Sequence, residues 1–182
     1  ADALQQVMRE HGLAPADIAQ VTCHVHQGAI DVLGPVVSPT TVHQSKFSMG
    51  TVLALAARFG HAGLAAFDNE YLAPETVALR DKVRMELDAE VDAAYPRRWI
   101  GKVTVRTADG RTLHGRVDEP KGDPGNTLSR EEITAKALRL AAYGGAVSAE
   151  QAQAAIQRLW RATQWPRAQR LLQPEQDERG HF

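Results

Sequence analysis

The densest set of side chains able to meet a small anion lies in residues 38–48, SPTTVHQSKFS. Ser38, His43, Gln44, Ser45, Lys46 and Ser48 gather where an irregular stretch gives way to a nearly uncharged helix, read over Ser45–Phe59. The free N–H groups of a first helical turn carry partial positive charge, and an ammonium adds a full one, so this end suits a carboxylate or a phosphate. A capped helix start with a solvent-facing lysine accounts for the same residues equally well. His24-x-His26 puts two imidazoles on one strand face, with His114 on the polar face of another strand. A metal site needs three or more ligands, so two solvent-facing histidines is the preferred reading. Cys23 falls on the apolar side by parity and reads as a core thiol, because a reactive thiolate needs an electropositive, accessible setting. KGDPGN, residues 121–126, lacks the GxxxxGK[ST] spacing of a phosphate loop and reads as a connecting turn, with Lys121 as a weaker candidate cation. No Ser/His/Asp arrangement assembles.

The chain has 182 residues, 43% of them hydrophobic, which suits one domain or slightly more with a sizeable core. Lys plus Arg number 21 against 22 Asp plus Glu, a net charge of −1, which argues against a general nucleic-acid binder. One cysteine excludes an internal disulfide framework and any multi-cysteine zinc site, and a reducing, cytoplasmic setting is the simplest expectation. No apolar run reaches the length of a membrane span, and the first residues, ADALQQVMREHG, lack a signal-peptide pattern. They open in mid-helix, as a piece of a longer chain would.

The elements that must position these groups follow from periodicity. Leu4, Val7, Met8 and His11 mark one face of a first helix that Gly12 ends in the αL region. Residues 18–26 alternate as a half-buried strand, with Val21, Cys23 and Val25 on one side and Thr22, His24 and His26 on the other. Residues 27–44 show neither period and read as a long irregular loop. Pro74 suits the first position of a short helix, and 83–88 alternate again. A hairpin spans 100–107 and 111–118. A two-residue Asp109-Gly110 loop would set Val105 opposite His114, whereas a three-residue loop, Ala108-Asp109-Gly110, sets Val105 opposite Leu113 and Val103 opposite Gly115. The second register keeps apolar residues on one face and is preferred. Capping boxes at Ser129/Glu132 and Ser148/Gln151 open two helices. The fold class expected is α+β: a mostly antiparallel four-stranded sheet with helices on one face, then a C-terminal helical segment. The divisions expected are an α+β domain over 1–120, a loop and helices over 121–165, and a polar tail over 166–182.

Three separated stretches, HQSKFSMGTVLALAARFGHAGLAAFD, YPRRWIGKVTVRTADGR and PKGDPGNTLSREEITAK, resemble the C-terminal half of the 2-methylcitrate dehydratase (MmgE/PrpD) family. The likeness covers roughly residues 1–142 and departs at Thr127, where the family usually has proline, and at Thr51, where many members place an aromatic. It implies a cofactor-independent lyase or isomerase of small polycarboxylates, a class that includes cis-aconitate decarboxylase and an iminodisuccinate epimerase as well as the dehydratase of propionate metabolism. The resemblance also implies a large helical domain, a smaller α+β lid and a homodimer. Residues 1 to about 120 look like the lid, and the helices after Ser129 look like the return toward a helical domain that lies upstream. The family's lysine-and-histidine motif would precede residue 1, so the chain alone is expected to be inactive. Lys46, with Gln44, Ser45 and Ser48, is the implied substrate-facing group, and Lys121 the weaker one. A non-catalytic α+β binding or dimerisation module is the alternative.

Overall fold

A computed structural model describes residues 1–164; the tail expected over 166–182 lies outside the described residues. The helices are α1 (Asp2–His11), α2 (Gln27–Leu33), α3 (Val42–Ser45), α4 (Met49–Phe59), α5 (Leu64–Glu70), α6 (Pro74–Arg80), α7 (Ala89–Ala94), α8 (Arg130–Gly144) and α9 (Ala149–Trp160). The strands are β1 (Ile18–Val25), β2 (Val83–Leu87), β3 (Gly101–Thr107) and β4 (Thr112–Val117). Two units result, one over Ala1–Thr127 and a second that opens at Leu128.

Alternation in the four strands builds one sheet in the first unit, in the order β2-β1-β3-β4. Two inward rows cross all four strands, Val83–Val21–Val105–Leu113 and Met85–Cys23–Val103–Gly115, and the pairs Val25–Leu87 and Gly101–Val117 follow at the next step. Val21 and Val105 are fully buried, and Leu4 and Val7 of α1 and Leu53 and Ala54 of α4 complete the core. The sheet is mixed, which corrects the mostly antiparallel expectation: β1–β3 and β3–β4 are antiparallel, but β1–β2 is parallel. The cause lies in the connection. Between β1 and β2 the chain runs through α2 to α6, a crossover that returns it to the same sheet edge in the same direction.

The hairpin register is the expected one. The Thr107 N–H donates to Arg111 O at 2.9 Å, Gly110 has φ 90°, and Val105 pairs with Leu113. A backbone with positive φ strains any residue with a Cβ, which is why glycine stands at this corner. KGDPGN is the connecting turn it reads as: the Gly122 N–H donates to Asn126 O at 2.8 Å, and the Lys121 N–H donates to Asp2 Oδ2 at 2.6 Å.

Residues 27–44 depart from the reading. In place of one loop they form α2, then an irregular stretch, then α3. Both helices are too short to show a period, and Gly28 and Gly34 mask the first. His26 is therefore not a strand residue but the N-cap of α2, its Nδ1 accepting from the Ala29 N–H at 3.2 Å.

In the second unit, both capping boxes form as read, at Ser129/Glu132 and Ser148/Gln151. Trp160 Nε1–H donates to Thr134 Oγ1 at 3.1 Å, and the Arg130 guanidinium lies 5.0 Å from the Trp160 ring centroid.

Gly115 tests the packing. A Cβ there would stand 2.5 Å from the Ala3 carbonyl oxygen and 2.6 Å from Val7 Cγ2. Both neighbours belong to α1, so the helix must move. Gly115→Ala is expected to lower the unfolding free energy by about 1–3 kcal/mol in urea titrations, the usual cost of overpacking a core.

Candidate functional site

The residues nominated from the sequence do not form one helix end. α3 stops at Ser45, and Ser48, with an extended backbone, caps α4 by accepting from the Thr51 N–H. Lys46 is thus the C-cap of α3, exposed, two residues before the N-cap of α4, and not inside that helix. Gln44 is turned back on its own turn, its Oε1 accepting from Thr40 N–H at 2.8 Å and Thr40 Oγ1–H at 2.9 Å. Ser45 is fully buried and donates to Val42 O at 2.7 Å, and Ser48 is buried as a cap. Of this cluster Lys46 presents a charged head to solvent. Lys121 lies apart, beside the first turn of α1.

A cavity of about 530 Å³ opens instead where β1 ends and β3 begins. Its position follows from the register. Past Cys23–Val103 the inward side of β1 ends at Val25, paired to Leu87, and that of β3 begins at Gly101, paired to Val117; β1 then turns into α2 at His26, and the chain enters β3 from 95–100. These two segments leave the space between them. Val32 and Leu33 of α2, Met49 and Leu53 of α4, and Ile100 give it an aliphatic inner wall. His26, Tyr95 and Trp99 supply a ring wall: His26 stacks flat on Tyr95, centroids 3.9 Å apart at 7°, and Trp99 stands edge-on to both. Tyr95 joins Pro96 through a cis peptide bond. Arg98 and Lys102 bring positive charge to the lining.

The polar face of the sheet next to this cavity is a network of ions. Lys102 Nζ meets Asp88 Oδ2 at 2.7 Å and Glu90 Oε2 at 3.4 Å. Arg116 grips both oxygens of Glu90, at 2.7 and 3.0 Å, and meets Asp118, which Arg98 also reaches at 3.2 Å. The hydrogen bond from Lys102, then the Val91 N–H, hold the Asp88 carboxyl below its ordinary range, and Arg116 does the same for Glu90. In return Asp88 raises the Lys102 ammonium.

His24 and His26 part company. His24 Nε2 lies 2.8 Å from Thr104 Oγ1, which lies 3.2 Å from His114 Nδ1, so His24 and His114 meet through a hydroxyl. Among the described residues no group of three or more His, Cys, Asp or Glu could hold a metal ion. Cys23 is buried, and burial pushes its thiol up to about 12, which suits core and not nucleophile. Also among the described residues, no single helix is long and apolar enough to cross a membrane.

Sequence reading missed the ring wall and Arg98. The signal was present in YPRRW, residues 95–99, but an aromatic pair with a proline between strands has no period to announce it.

A family model described as the MmgE/PrpD C-terminal domain matches residues 1–162, some twenty residues beyond the resemblance read from the motifs. No curated protein matches the chain.

Two outcomes are expected. The Thr51 hydroxyl is buried with no hydrogen-bond partner among the described residues, so Thr51→Val, which keeps the shape, should raise stability by about 1 kcal/mol in thermal or urea melts. Asp88 and Glu90 have depressed folded pKa values, so the stability they lend is present above the ordinary carboxylate range and lost as pH falls through the lowered values. Urea midpoints measured from pH 7 downward should fall less steeply in Asp88→Asn than in the parent chain.

Proposed function

The chain belongs to the MmgE/PrpD family, and on that premise we propose that its first unit is the lid of a cofactor-independent lyase or isomerase acting on small carboxylic acids. The match of the C-terminal-domain model over residues 1–162 is the observation that carries this reading. In such chemistry a general base removes a proton α to a carboxylate while cationic groups hold the acid and water is kept out. The second half of that task falls to the lid. The cavity at the end of β1 has the parts for it: an apolar wall that excludes water, and Arg98 at the lining to orient a carboxylate. Lys46, exposed between α3 and α4, is kept as a second cation facing the acid, and Lys121, which follows the cavity-lining Pro120, as a weaker one. The proton-transferring groups come, on this reading, from a helical domain of the same polypeptide, in a homodimer. Substrates of the 2-methylcitrate and cis-aconitate kind define the reaction class to test.

The 182-residue chain alone is expected to turn over neither 2-methylcitrate nor cis-aconitate when followed by proton NMR; turnover by the purified chain would overturn the lid reading. Joined to the helical domain, the enzyme should lose activity in Arg98→Gln and Lys46→Ala by about tenfold in kcat/KM, the worth of a charge-assisted hydrogen bond, with melting unchanged. Unchanged kcat/KM in both variants would remove these cations from the site.

A further inference from the structure

Several groups at the cavity lining can donate to an acid: His24, His26, Arg98 and Lys102, with the Ala1 amine beside them. They are not equally available. Lys102 is held at 2.7 Å by Asp88 and at 3.4 Å by Glu90. His24 Nε2 is engaged with Thr104 Oγ1 at 2.8 Å. Burial draws the Ala1 amine toward its neutral form. Arg98 meets Asp118 at 3.2 Å, but Arg116 already holds that carboxylate at 2.8 Å, so Arg98 can turn to a ligand.

His26 is placed differently. As the N-cap of α2 it accepts the Ala29 N–H at Nδ1, over 3.2 Å. An accepting Nδ1 carries no hydrogen, so the proton of the neutral ring sits on Nε2. The cap thus makes the imidazole a one-sided donor, and the described residues offer its Nε2–H no acceptor. Tyr95, stacked on the ring at 3.9 Å, and Trp99, edge-on to it, fix its plane. Gly28 leaves the ring its room, since a Cβ there would stand 3.2 Å from Nδ1. A donor held this firmly loses little freedom when an acceptor arrives.

We propose that His26 is a substrate-binding residue, its Nε2–H donated to a second oxygen of a polycarboxylate whose first carboxylate lies at Arg98. The inference rests on reading the cavity as the substrate-facing side of the lid. The hydrogen bond that starts α2 then has a second task, since it selects the tautomer that meets the acid.

Two variants separate the donor from the other work of the ring. His26→Asn keeps a cap, because asparagine ranks with the best N-cap residues, but it loses the ring and the Nε2–H. His26→Phe keeps a ring against Tyr95 but loses the cap and the Nε2–H. Citrate is titrated calorimetrically into the 182-residue chain at about pH 8, above the ordinary imidazole range. Long-range nitrogen–proton NMR then shows which nitrogen of His26 carries the hydrogen. The proton should be found on Nε2, and its signal should move as citrate is added. Citrate binding should weaken about tenfold or more in both His26 variants and in Arg98→Gln, while His26→Asn melts as the parent does. A proton on Nδ1, or an Nε2 signal unmoved by bound citrate, would overturn the assignment. Binding weakened by Arg98→Gln but kept in either His26 variant would also overturn it and leave the lid reading standing. No citrate bound by the parent chain would remove the cavity as the acid site, and the assignment with it.

Discussion

The fold hangs on the burial of Val21 and Cys23 between neighbours on both sides. β1 is an interior strand, paired to β2 in one sense and to β3 in the other, and its inward side chains complete both rows of the sheet. A one-residue slip of β1 would turn Val21 and Cys23 to the polar face and bring Thr22 and His24 into the core. Gly115 at the end of the second row serves the same constraint, because the missing side chain is the space in which α1 lies. Where the rows stop, the constraint stops. Beyond Val25 the strand gives way to α2, and a cavity is left beside that helix.

The charged face answers to a different rule. Lys102, Asp88, Glu90, Arg116, Asp118 and Arg98 form a chain of ion pairs on the side of the sheet that carries the polar half of the alternation. Exposed pairs of this kind contribute little singly. Their arrangement matters more than their strength, since Lys102 is committed to two acids while Arg98 shares one. That asymmetry decides which cation is available at the cavity.

How much of this could be read from the chain depended on whether a residue sat in a periodic segment. Val103 and Val105 faced the core, and the Ala108–Gly110 turn formed, because alternation on both strands admits one register in which every apolar residue agrees. α1 and the two capping boxes were legible for a similar reason: caps have fixed spacings. The parallel β1–β2 pair was not, since strand direction is set by the length and route of the connection and α2 to α6 supply that route. α2 escaped notice because seven residues with an internal glycine hold no measurable period. At the candidate site, Lys46 is exposed, but the helix start assigned to it belongs to Ser48. The ring wall was not legible, because His26, Tyr95 and Trp99 come together through two irregular segments distant in sequence.

Mapping amide and indole shifts by two-dimensional NMR on the 182-residue chain, as carboxylic acids are added, tests most directly that the cavity at the end of β1 is the working face. Shifts concentrated at Gly28, Ala29, Gly101 and the Trp99 indole are the result this account predicts. Shifts confined to Gln44–Ser48 or to the turn at Lys121, with the Trp99 indole unmoved, would contradict it.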